Sequence, residues 1–460
     1  MLAFQIMPPQ SFSTLSHLVA VNVLLTGISN IFWVPMANIF GRRPIMLAAQ
    51  LILIFASVWG GVAKTFGSLL GARVLQGFGM GPCDTISPEI IGEVFFIHQR
   101  GRAVAIYTLF LGGGSFVGGL VGGYIAGNLG YKYIFWITIA LSAFVFLCQL
   151  FLVPETLFDR RAHLRQEDVN NFPVEKGEVQ HTERSLEPKY QSTFTFAQQM
   201  KVGMYRGHVI RNFLSPWRAL AFPGTWVVML QYGGLLGGIV TISTVAPQIL
   251  SMPPYLWGNN AGLINLGGVI GNLLGGIATY LIVDRLVTRS AKKEVHGLGE
   301  PETRLPAMFP ALFLSVTGMW MFGFCAANPS PKAWVGMAIG LGMNAFGIVQ
   351  IPSVGFNYVR LPHLLRLHQV LTCLLQLIES YYSISADCFV MTTIVRGAVS
   401  FAWTFFVGEW IAKAGPAEPF GIFGMLMAVF ALLTIPLWLF GKRMRIATAG
   451  YLPKEGHGAH

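Results

Sequence analysis

Charge is scarce in this chain. Only 11% of its 460 residues are Asp, Glu, Lys or Arg, against about a quarter in a soluble domain, which excludes an ordinary soluble protein. Acidic residues are the scarcer sign, 20 against 31 Lys and Arg. The resulting charge of +11 does not point to nucleic acid, because the cations sit mostly in short segments between apolar runs. Five cysteines (Cys83, Cys148, Cys325, Cys373 and Cys388) are scattered and form no CxxC or metal spacing, so neither a disulfide framework nor a metal is expected. No His cluster, nucleophile–base arrangement or ATP-binding motif stands out. An enzyme is therefore not expected, nor is any cofactor. The first residues lack the basic and apolar regions of a cleavable signal.

Apolar length is what the chain has instead. It is 53% hydrophobic, with 53 Gly but no Gly-X-Y period; abundant glycine suits close helix contact in lipid. A span needs about 20 predominantly apolar residues. Eleven segments qualify: 13–39, 45–63, 67–90, 103–127, 133–153, 219–243, 259–283, 306–326, 333–355, 383–412 and 418–440. The class is thus all-α, a polytopic membrane helix bundle. The chain divides into an N-terminal half-bundle (1–153), a polar central loop (154–217), a C-terminal half-bundle (218–441) and a tail (442–460). The loop cannot span. Its last part, 196–217, mixes apolar with basic residues and suits either an interfacial helix or a plain loop.

Lys and Arg orient the spans. The gaps holding Arg42/Arg43, Arg100/Arg102, the central loop, Arg285/Arg289, Arg360/Arg366 and Lys442/Arg443/Arg445 all fall on one side. The opposite gaps hold isolated Lys64, Lys132, Lys332 and Lys413. The basic side is therefore read as cytoplasmic, with the C-terminus inside. An odd number of spans is unusual for a transporter built from paired repeats.

A cation inside an apolar run is the most informative local feature. Arg73, followed by Gln76, Gly77 and Gly79, costs about 3 kcal/mol on insertion scales unless it meets a wet or polar interior. It predicts a polar path through a bilayer, with a snorkelling interfacial Arg as the bland alternative. Other polar residues within spans are Gln231, Tyr232, Asn265, Asn272, Asn344, Gln350 and Arg396. Each must line a cavity or bond a neighbouring helix, since lipid satisfies no polar group. Arg396 is the second functional candidate, whereas Asp387, nearer a helix end, suits a structural pair. No core carboxylate is evident as a proton carrier: Asp84, Glu89 and Glu93 fall toward the cytoplasmic end of their span, and Glu409 toward the outer end.

Several motifs, in order, resemble the major facilitator superfamily, closest to fungal drug:proton antiporter-like members. Asn38-Ile39-Phe40-Gly41-Arg42-Arg43 resembles its loop motif between helices 2 and 3, and Arg73-x-x-Gln76-Gly77-x-Gly79 its helix-4 motif. Gly114-x-x-x-Gly118-Gly119-x-x-Gly122-Gly123 is similar to the helix-5 antiporter motif, with Gly119 where the family has Pro. Asp284-Arg285 repeats part of the loop motif in the second half, and Glu300-Pro301-Glu302-Thr303-Arg304-Leu305-Pro306 also looks fungal-type. The resemblance implies two pseudo-symmetric halves, with the first span as family helix 2 and the family's first helix missing from this chain. Residues 360–377 interrupt an ordinary family junction, either as a translated intron or as a genuine amphipathic insert.

The resemblance also implies roles. The loop motif latches one state of an alternating-access cycle. Gly41 permits a tight turn, and Glu89 and Glu93 are candidate partners of Arg42 or Arg43. Asn38 and Ile39 replace the family's charge pair, so the latch is weaker or rests on other partners. The rows Gly114/Gly118/Gly122 and Gly119/Gly123/Gly127 put small residues on helix faces that another helix can approach, as packing or as a gate; this run inside a membrane helix is no nucleotide site.

The function expected is secondary active transport of a small organic molecule by a monomer, outward and exchanged for protons, in the plasma or vacuolar membrane. A same-fold importer of a nutrient or organic cation is the first alternative. A non-transporting receptor or scaffold and a non-functional truncated product are the others.

Overall fold

The computed structural model describes residues 12–95, 97–156, 209–278, 305–306, 308–360 and 374–448. Asp284, Arg285 and residues 361–373 of the insert lie outside the described residues, as do the side chains of Glu93, Gln350 and Asp387.

The N-terminal half contains α1 (Phe12–Ile28), α2 (Asn30–Phe40), α3 (Arg42–Val62), α4 (Phe66–Val94), α5 (Ile97–Asn128) and α6 (Tyr131–Leu152). A short α7 (Val209–Leu214) and a 3-10 turn (Ser215–Ala221) lead into the second half. There follow α8 (Pro223–Leu250), α9 (Gly258–Ala278, opening as a 3-10 turn), α10 (Phe309–Ala327), α11 (Ala333–Arg360), α12 (Leu374–Ala414), α13 (Ala417–Leu432) and α14 (Thr434–Thr448). No strand occurs among the described residues.

Every apolar run expected to span is helical where described. Nine described helices are long and apolar enough to cross a membrane. The two others are α4, made more polar by Arg73, Gln76, Asp84 and Glu89, and α11, whose fully described part is the shorter apolar stretch Ala333–Val349. At 1.5 Å per residue α4 is nonetheless about 43 Å long, and it packs against α1 and α3. α1 and α2 form one span (Thr14–Phe40) broken at Ser29. The Asn30 amide donates to Thr26 O at 2.8 Å, and Pro35 inside α2 removes a further helical N–H.

Sharp turns reverse the chain at the ends. Gly41 joins α2 to α3 and Gly130 precedes α6, at φ 101° and 100°, conformations that a side chain would strain. The turn expected at Gly41 is thus present.

The halves differ in packing. One continuous core of the second half joins Tyr232, Leu235, Met319, Phe322, Phe420 and Met427. The first half has smaller clusters, around Trp33/Ile86 and around Tyr131/Phe135. Two seams join the halves. α1 runs along α12, with Gly27 against Gly397 and His17 stacked on Phe405 at 4.2 Å. α5 runs along α9 and α11. Small residues carry both seams, as expected where close dispersion contact rather than water exclusion holds helices together.

Candidate functional site

Where α4, α8 and α12 approach one another, Arg396 meets Asp84. Its Nη2 donates to Asp84 Oδ2 in an ion pair that links the two halves, while Nη1 donates to Tyr232 Oη at 3.0 Å. The guanidinium carbon stands 5.0 Å from the Tyr232 ring centroid. The side chain of Arg396 is 6% exposed and that of Asp84 is 13% exposed. Beside them Tyr107 of α5 donates to the Cys83 carbonyl at 3.0 Å. Asp84 lies about 27 Å along α4 from Phe66, and Arg396 about 27 Å along α12 from Ala414. The pair is therefore level, well inside both helices.

Glycines make this approach possible. Gly233 and Gly237 of α8 face Arg396, Val399, Ser400 and Trp403 of α12. A side chain at either would push α12 away and draw the guanidinium off Tyr232. The sequence singled out Tyr232 and Arg396 but not Asp84, which was placed toward a helix end. The signal available was helix arithmetic, since Asp84 has ten residues of α4 beyond it.

Arg73 occupies a separate place, about 16 Å along α4 from Asp84. Its Nη1 donates to Gln76 Oε1 at 2.8 Å, and its guanidinium lies 5.1 Å from the centroid of Phe135 in α6. Gln76 in turn donates to Ser57 Oγ at 3.4 Å, and Asn22 of α1 donates to the Arg73 carbonyl at 3.0 Å. Arg73 and Gln76 thus sit together inside the first half, between α3, α4 and α6, and do not reach Arg396. No carboxylate pairs with Arg73 among the described residues.

The expected polar residues of the second half divide by role. Gln231 is fully buried and donates to Phe430 O at 3.0 Å and Thr434 Oγ1 at 2.6 Å, tying α8 to α13 and α14. Asn344 donates to Gly340 O at 3.1 Å and lies against Gly318 of α10. Asn272 donates to Leu109 O of α5 at 2.9 Å, and Asn265 lies against Gly119. These contacts join helices.

The glycines of α5 divide as well. Gly119, Gly123 and Gly127 face Asn265, Gly262 and Asn259 of α9. Gly114, Gly118 and Gly122 face no described atom within 4 Å. The first of the two expected rows therefore receives no described helix.

At one end of the bundle a second charged cluster forms around the α2–α3 turn. Arg42 Nη2 stands 3.3 Å from Glu89 Oε2, with both side chains buried. Glu155 accepts from the backbone N–H of Arg42 at 3.1 Å and of Arg43 at 3.2 Å, capping α3. A carboxylate there satisfies two orphan donors and meets the positive end of the helix dipole. Arg43 Nη2 donates to Leu150 O of α6 at 2.6 Å. Glu89 is one of the two candidate partners named from the sequence; Glu155, read only as the start of a loop, was missed. Ile39 is fully buried and Asn38 half-buried, so neither supplies charge here. We call this the basic end.

Among known proteins, the family model described as Major Facilitator Superfamily matches residues 4–364. An uncharacterized MFS-type transporter of Schizosaccharomyces pombe is 24% identical, over 95% of this chain and 79% of its own length. A probable efflux pump, mfs2 of Aspergillus flavus, is 22% identical over 93% of each chain. Among solved structures, the human organic anion transporter MFSD10 (TETRAN) superposes with a TM-score of 0.53 at 14% identity, covering 92% of this chain and 83% of that one; at that identity the likeness is one of fold. The two fungal relatives match over 95% and 93% of this chain, and the apolar helices make a multi-pass membrane protein. The chain belongs to the major facilitator superfamily, whose members are transporters and not enzymes.

Proposed function

We propose that this protein is a proton-coupled exporter of a small organic molecule, working by alternating access as a monomer, with the Asp84–Arg396–Tyr232 cluster as its switch. The observation that carries this reading is the ion pair between halves. Ionised Asp84 holds α4 to α12 through Arg396. A proton on Asp84 removes the attraction and leaves Arg396 on Tyr232 alone, so the halves are free to separate. The proton then leaves to the other side as the pair re-forms. Charge inside a bilayer protein is costly and marks such pathways. The probable efflux pump of A. flavus among the relatives supports the outward direction, and the Arg42/Arg43 clustering supports a cytoplasmic basic end.

The test is a proteoliposome assay with an imposed pH gradient and a panel of organic compounds. Substrate addition should drive proton movement, read by an entrapped pH dye. Asp84→Asn should abolish that movement while retaining substrate exchange at equal concentrations. Transport insensitive to pH gradient and to membrane potential would sink the proposal.

A further inference from the structure

The 13 residues from Val209 to Ala221 are too short to span, yet they touch both halves. α7 packs on α2 of the first half, and the 3-10 turn packs on α12 of the second. The inward contacts are apolar: Ala219 is buried with Met229, Cys388 and Met391, and Leu220 packs beside them. Leu220 O also accepts from Trp226 Nε1 at 2.9 Å. The segment is about 23 Å long at helical rises.

Its outward face is apolar too. Ile210, Leu214 and Trp217 are 76%, 59% and 52% exposed, at the four- and three-residue spacing that lines one side of a helix. In water this would be an unstable surface. Its position removes the conflict. The turn leads directly into α8, whose Trp226 is also exposed, and Trp438 of α14 is exposed as well. Exposed indoles gather at the lipid–water boundary. Arg218, next to Trp217, is exposed and available to a headgroup phosphate.

We propose that residues 209–221 form an interfacial strap, with the Ile210–Leu214–Trp217 face seated in the phospholipid leaflet and the opposite face joining α2 to α12. The strap lies along the boundary plane, its apolar face among the upper acyl chains and Arg218 on the phosphates. Any change in the angle between α2 and α12 moves the strap against that leaflet. This coupling rests on the alternating-access reading above; the seating in lipid does not.

The full-length protein in phospholipid nanodiscs, with native cysteines replaced by Ser and Leu214→Cys carrying a nitroxide, tests the seating. The label should be accessible to oxygen and protected from a water-soluble nickel chelate. A label readily reached by nickel and not by oxygen overturns it. Leu214→Asp with Trp217→Asp tests the coupling: transport should fall severalfold at unchanged substrate affinity and unchanged membrane yield, and Leu214→Ile with Trp217→Phe should retain the rate. An unchanged rate in the Asp pair overturns the coupling. If the unaltered protein transports nothing, the function proposed above fails, while the nitroxide result still decides the seating.

Discussion

Asp84 and Arg396 lie 312 residues apart in the chain and form an ion pair between its two halves. Both side chains are largely buried, so each charge depends on the other. Removing one member of a buried pair costs about 3–5 kcal/mol, because the other is left uncompensated.

Asp84→Asn should therefore lower thermal stability in detergent, and the double variant Asp84→Asn/Arg396→Gln should recover part of the loss. A double variant less stable than either single one would show that the pair is not the source of the effect.

At the basic end, Glu89→Gln and Glu155→Gln separate two roles. Glu89 holds a buried cation, so its loss should cost several kcal/mol, in the range of about 3–5. Glu155 caps a helix, where the loss is about 1 kcal/mol. Unfolding midpoints of the two variants should rank in that order, with Glu155→Gln the milder.

The glycines of α5 should respond unequally to a methyl group. A Cβ on Gly123 would stand 3.1 Å from Cα of Gly262, whereas one on Gly118 meets no described atom within 4 Å. Gly123→Ala should widen the α5–α9 seam and lower both yield and transport. Gly118→Ala should be neutral or stabilising by about 0.5–1 kcal/mol. Size-exclusion profiles and unfolding midpoints of the two variants decide this; equal damage would contradict the packing difference.

Arg73→Ala should abolish coupled transport while the protein still reaches the membrane at its usual level. Arg73 holds Gln76 and lies over Phe135, so Arg73→Lys, which keeps charge but loses the planar fork, should rescue only in part. Normal transport by Arg73→Ala would reduce the residue to an anchor of α4.

Much of this molecule was legible in order of sequence. The apolar runs announced the helices, because lipid leaves the backbone no other partner than itself. Glycine at 41 announced a turn, and Arg42 and Arg43 beside it announced carboxylate partners, with Glu89 and Glu93 as the candidates. Three features were not legible. Asp84 read as an end residue because its depth depends on where α4 stops. Glu155 read as loop because its partners are backbone N–H groups 112 and 113 residues away. The two glycine rows of α5 read alike because spacing shows that a face is smooth, not whether a neighbour covers it.

Composition and periodicity alone determined that the chain is a helical membrane bundle with a basic end and polar residues inside it. Both follow from local chemistry: the free energy of placing each side chain and peptide group in hydrocarbon. Which polar residues meet was decided only by tertiary structure. Arg396 finds Asp84 and Tyr232 because Gly233 and Gly237 let α12 close on α8, and Arg73, the first candidate on paper, is left with Gln76 inside one half. Pairing depends on the depth and rotation of helices that are distant in the chain, and no local preference encodes it.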